Sequence, residues 1–141
     1  MKSTNKIRPV ALLLARKDSK YLVFEGEDKT KKNIFFRSLG GGIEFGEDSK
    51  TALKREIKEE INAGIKNLKL LKILENIFDY NGIHMHEIIF IYSGEFENRE
   101  LYNKKEIEIL DSDSQDKAIW VEKKELLKTN FYPEGVKDLI K

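Results

Sequence analysis

Between Gly40 and Ile61 the chain reads GGGIEFGEDSKTALKREIKEEI: three glycines, a short acidic turn, then a run with helical periodicity. Asp48 or Ser49 can cap a helix that runs to about Ile61, and Asn62 can take the left-handed conformation that ends it. At roughly 100° per residue, Leu53, Ile57 and Ile61 form one apolar stripe. Lys54 and Lys58 follow one flank, and Glu56, Glu59 and Glu60 lie on the other. The charges are sorted by sign. Glu56 meets Glu60 at i,i+4 and Glu59 at i,i+3, and each like-charged pair costs a few tenths of a kcal/mol in a bare helix. Something outside the helix must favour the cluster. A hard divalent cation is the obvious candidate, since such ions take carboxylate oxygens and bring phosphates with them. A glutamate-rich helix alone is ordinarily a solvated face, and a glycine run alone can be a tight turn. Gly40, Gly41 and Gly42, however, let backbone approach a ligand or adopt positive φ. The combination points to a phosphate-and-metal site.

Around this segment the pattern is mostly strand. KIRPVALLLA carries Pro9 early, where a strand tolerates it. KYLVFEG reads as its hairpin partner across RKDS, and NIFFRSL leads into the glycines. NLKLLKILENIFDY, Asn67 to Tyr80, is divided between helical period and strand propensity and is read as a long, bent strand. The turn signal DYNG joins it to a strand at Ile83 to Phe96. KEIEIL and KAIWVE are further strands around a DSDSQD loop. A short helix at KKELLK and a terminal helix from Pro133 complete the order. Strands, a central helix, more strands and a terminal helix imply a mixed sheet with helices on its faces, an α/β fold.

The chain's 141 residues suit one domain, 1–141, with a real hydrophobic core. Its 26 Lys plus Arg balance 25 Asp plus Glu, and a net charge of +1 argues against nucleic acid as the main partner. With no cysteine, disulfides and thiolate metal sites are excluded. The run VALLLA is too short to span a bilayer and lacks a signal-peptide cleavage pattern, so it reads as a buried first strand. The expected location is the cytoplasm, with no membrane partner.

The central segment resembles the signature box of the Nudix hydrolases. That box reads Gly, five residues, Glu, seven residues, Arg-Glu, an apolar residue, any residue, Glu-Glu, any residue, Gly, apolar. Here Gly41, Glu47, Arg55-Glu56, Ile57 and Glu59-Glu60 fall at the required spacing. The closing Gly-apolar pair is Asn62-Ala63, and the proline that often precedes the glycines is Leu39. Neither change removes a ligand, and Asn is the best substitute for glycine at a left-handed cap. Outside the box the likeness is looser: AIWVEKKEL looks like the family's strand-then-helix ending.

The resemblance implies an α/β/α sandwich and hydrolysis of a nucleoside diphosphate linked to another group, with Mg²⁺ or Mn²⁺. It implies Glu59 and Glu60 as metal ligands, Glu56 as ligand or base, and the Gly40 carbonyl as a further ligand. Arg55 and Glu47 would pair and hold the loop against the helix. Glu44 could touch the metal shell or face solvent. An acidic group from outside the box would be Glu87, Asp113 or Asp116. A small-molecule nucleotide partner and a homodimer are also implied.

His84 and His86, two apart on a strand, share a face. With 2 histidines and no cysteine, hydrogen bonding or sheet packing fits them better than a zinc shell. Phe35, Phe36, Tyr80 and Tyr92 could stack on a base, but strand aromatics are ordinarily core, and none is singled out. The competing reading is a non-catalytic nucleotide sensor on the same fold, against which the complete glutamate set argues. An RNA-end processing enzyme is a third, opposed by the charge balance. The loops that would select a substrate carry no signature.

Overall fold

The computed structural model describes residues 2–110 and 116–141. Its eight strands are β1 (Lys2–Lys17), β2 (Lys20–Asp28), β3 (Asn33–Gly42), β4 (Ile65–Tyr80), β5 (Ile83–Phe96), β6 (Glu106–Glu108), β7 (Lys117–Glu122) and β8 (Phe131–Tyr132). The α-helices are α1 (Ser49–Ile61) and α2 (Lys123–Lys128). Short 3-10 turns occupy Arg99–Asn103 and Val136–Leu139.

The sheet is mixed, in the order β4-β5-β1-β3-β2-β7-β6, with β8 added in parallel to β3. β1 runs parallel to β5 from Ile7↔His86 to Ala15↔Gly94. The apolar run of β1 alternates between two cores. Ala11, Leu13 and Ala15 pack with Leu53, Ile57 and Ile61 of α1. Val10, Leu12 and Leu14 pack with Leu126 of α2 and with Val136 and Ile140. A strand covered on both faces has no polar face to present, which is why the run is uninterrupted. The layers, helix over sheet over helix, are those expected of the α/β class.

The β1–β2 hairpin is confined to Arg16↔Tyr21 and Lys17↔Lys20. Beyond it β3 inserts between the two strands and pairs with both. β4 is the bent strand expected, with register shifts between Lys66 and Lys69 and between Leu70 and Lys72. KEIEIL keeps only three residues of strand, β6. The expected terminal helix is a 3-10 turn instead. Gly135 at φ 94° interrupts helical geometry two residues after Pro133.

Candidate active site

Two glycines at the end of β3 fix the geometry. Gly40 sits at φ 140° opposite Leu12, and its amide donates to Glu60 Oε1 at 2.8 Å. Gly41 presses against the Glu56 carboxylate. The chain then turns through Glu44 and Glu47 into α1, where the Asp48 side chain accepts from the Thr51 amide at 2.8 Å. The helix ends at Asn62, left-handed at φ 53° and ψ 43°. Leu53, Ile57 and Ile61 anchor the helix in the core, so the glutamate flank faces the glycine turn.

Arg55 is the hub of that flank. Its guanidinium donates to both Glu47 oxygens at 2.7 and 3.0 Å, and to the Gly42 carbonyl at 2.9 Å. It also donates to Glu56 at 2.9 Å and to Glu59 at 3.3 Å. The bidentate bond to Glu47 raises the Arg55 pKa above the usual guanidinium value and lowers that of Glu47. Glu59 is half exposed, with 50% of its side chain accessible, and Glu60 is buried. Glu44 is 71% exposed and 3.8 Å from Arg55, so its side chain faces solvent.

The donor chemistry of this flank suits a hard divalent ion: three carboxylates from one helix beside a glycine turn. Arg55 holds two of them and the Gly40 amide the third. Among the described residues no three acidic or imidazole side chains converge on one point.

Beside the glycines opens a pocket of about 190 Å³. Phe24, Phe35, Phe78, Tyr80 and Tyr132 give it aromatic walls, and Arg8, Arg37 and Glu87 line it as well. Phe35 contacts Tyr80 and Tyr132 edge to face, at ring separations of 5.6 and 5.2 Å. Arg8 pairs with Glu87 at 3.2 Å, and its guanidinium lies over Gly42, whose carbonyl Arg55 holds. Pocket and glutamate flank thus share a backbone wall.

Asp28, a further residue lining the pocket, clasps two hairpin tips together. Its carboxylate accepts from the Thr30 and Lys31 amides at 3.0 Å and from the Asn81 amide at 3.3 Å. These bonds, led by that from Lys31, lower its pKa. The folded carboxyl therefore titrates below the unfolded value of about 3.9. Its stabilisation is complete above that value and is lost as pH falls through the folded one. Asp28→Asn should melt below wild type at pH 7, and the gap should narrow by pH 3. A gap independent of pH would show that the clasp does not rest on the charge.

Comparison with known proteins agrees with this geometry. The NUDIX domain profile matches residues 5–139. The chain belongs to the Nudix family. It is 31% identical over 91 residues to an RNA pyrophosphohydrolase of Pelagibacter ubique, a match covering 64% of this chain and 54% of that one. The chain thus matches about half the length of that curated relative. Among solved structures, a NUDIX hydrolase from Nitrosomonas europaea superposes with TM-score 0.63 at 22% identity, covering 88% of this chain and 78% of that one. A MutT protein from Bacillus halodurans gives 0.64 at 24%, covering 95% and 80%. At such identities the likeness shows the fold.

Within this Nudix fold the other candidates separate. Glu87 is 12% exposed and lies in the pocket. Asp113 lies outside the described residues, and Asp116 meets Ile109 through its backbone carbonyl. His84 bonds Asp79 at 2.8 Å and lies with His86 beside Ile7 and Ile77, on a different pocket from the box. Tyr92 is buried and bonds Ser49. Phe36 packs in the core, whereas Phe35 and Tyr80 line the pocket. Sequence reasoning passed over Arg8, Asp28 and Arg37. A charged residue directly after the apolar triplet Ile34-Phe35-Phe36 was the one available signal for Arg37.

Proposed function

We propose that this Nudix chain, acting as one domain over residues 1–141, is a metal-dependent hydrolase. Its substrate is a nucleoside diphosphate linked to another group, and the bond cleaved is the pyrophosphate. The observation that carries the reading is the intact carboxylate flank sharing a wall with an aromatic, arginine-lined pocket. Glu56, Glu59, Glu60 and the Gly40 carbonyl would hold Mg²⁺ or Mn²⁺. The ion would supply charge neutralisation on the phosphate oxygens and acidify water. Attack by water forms one P–O bond and breaks the bridging one. The departing phosphate leaves as an anion, and a carboxylate takes the proton from water. Glu56 and Glu59 stand closest to that task, with Glu87 the acidic group available across the pocket. Arg55 and Glu47 hold the turn in place. The pocket would exclude water from one end of the substrate and stack its flat group on Phe35 or Tyr80.

The Pelagibacter relative favours a second reading, in which the pyrophosphate lies at the end of an RNA. The two readings separate in one experiment. The protein would be incubated with Mg²⁺ and then Mn²⁺ against nucleoside triphosphates, nucleotide sugars, ADP-ribose, dinucleotides and a 5′-triphosphorylated RNA, with products resolved by chromatography. Metal-dependent turnover that collapses in Glu59→Gln is the expected result, with small molecules preferred. Preference for the RNA would replace the first reading by the second. Nucleotide binding without turnover on any compound would favour a sensor.

A further inference from the structure

We propose that Arg37 is a substrate-binding residue: it grips the phosphate joined to the group that occupies the aromatic pocket. This rests on nucleotide phosphates lying against the glutamate flank, but not on their hydrolysis. Arg37 is half-buried on β3, two residues along from Phe35. Its guanidinium lies over the Phe24 ring at 5.3 Å and faces the pocket. Among the described residues its five N–H donors make no hydrogen bond to a protein group. The fork is therefore free to take a ligand at the pocket. Arg8, close by, is bonded to Glu87, and Arg55 is saturated by the box.

What surrounds Arg37 says what it would take. Glu60 and Glu87 act on it through space but lie beyond ion-pair distance, and burial lowers its pKa despite them. A half-buried cation lining a pocket gains more from an anion than from a neutral acceptor. The guanidinium fork matches two oxygens of one phosphate. Because Glu60 belongs to the box, an anion held on Arg37 lies beside the scissile linkage rather than at the far end of the pocket. The aromatic walls would then receive whatever that phosphate carries.

The test is calorimetric titration of inorganic pyrophosphate, in Mg²⁺, into wild type, Arg37→Gln and Arg37→Lys, with Mn²⁺ alone as a control ligand. Loss of a charge-assisted fork is expected to weaken pyrophosphate at least tenfold in Arg37→Gln. Arg37→Lys should weaken it less, and Mn²⁺ alone should bind all three proteins equally. Unchanged pyrophosphate affinity in Arg37→Gln overturns the proposal. So does parallel loss of Mn²⁺ binding, which would make Arg37 a support for Glu60. Should Arg37→Gln fail to fold, Arg37→Lys decides alone: wild-type affinity for pyrophosphate overturns the proposal. A protein that turns over no compound, yet loses pyrophosphate on Arg37→Gln, sinks the hydrolase reading and keeps this one.

Discussion

Arg55→Met in metal-free buffer should melt roughly 5 °C below wild type in a chain of this size. The substitution keeps most of the side chain's bulk and removes its charge. It strips the counter-ion from Glu47 and Glu56, which are 13% and 15% exposed, and frees the Gly42 carbonyl. Removing one partner of these part-buried pairs leaves the other charge partly desolvated and unpaired, which costs more than the pair contributed. Glu59 and Glu44, largely in water, add little. The energy therefore resides in the Glu47–Arg55–Glu56 core of the network. Arg55→Lys should fall between, because an ammonium cannot supply a fork to Glu47 while reaching Gly42 and Glu56. Pairing Arg55→Met with Glu47→Gln should recover part of the loss, as coupled sites do. A wild-type melting point for Arg55→Met in EDTA would show that the network is ornamental.

The same variant separates structure from chemistry. A divalent ion that binds only the folded state stabilises it in proportion to the logarithm of its concentration. If the glutamate flank is a metal site, Mg²⁺ or Mn²⁺ should raise the melting point of Arg55→Met by more than that of wild type, since Arg55 no longer competes for Glu56 and Glu59. Mutual repulsion in the helix is thus relieved in two alternative ways. Arg55 relieves it in the structure at hand, and a cation would do so during turnover.

The helix was legible because everything that defines it is local. Asp48, the Leu53-Ile57-Ile61 stripe and Asn62 lie within fifteen residues, and the structure follows them to the residue. The sheet was legible as strands but not as an order. That β3 enters between β1 and β2 depends on backbone pairing between strand edges distant in sequence, a tertiary requirement with no local signature. The pocket was illegible for the same reason. Arg8, Arg37 and Glu87 come from three strands far apart in sequence, and only the parallel β1–β5 register brings Arg8 opposite Glu87. The tail misled because Pro133 is a helix-start signal, whereas Gly135 decides the outcome.

Gly40→Ala and Gly41→Ala, one residue apart, should fail in opposite ways. A Cβ on Gly40 would overlap the Ala11 carbonyl oxygen and come within 2.8 Å of the Leu12 Cα. Both are backbone atoms of β1, locked opposite Gly40 in the sheet, so neither can give. At φ 140° the alanine is strained as well. Strain and overpacking together should cost about 3–5 kcal/mol, most of the stability of a small domain. A Cβ on Gly41 would overlap the Glu56 carboxylate, the end of a side chain rather than backbone, though one that Arg55 holds at 2.9 Å. That carboxylate can shift only by loosening its bond to Arg55, so Gly41→Ala should cost about 1–2 kcal/mol, less than Gly40→Ala, and keep its fold. Yet the displaced group is one of the three on which the proposed chemistry depends, and a shift of about 1 Å there can cost a hundredfold in rate. Thermal melts and turnover measured on the same two samples decide the matter. Gly40→Ala should be scarce or unfolded, and Gly41→Ala folded and slow. A folded, fully active Gly41→Ala would remove Glu56 from the reaction and leave Glu59 and Glu60 to carry it.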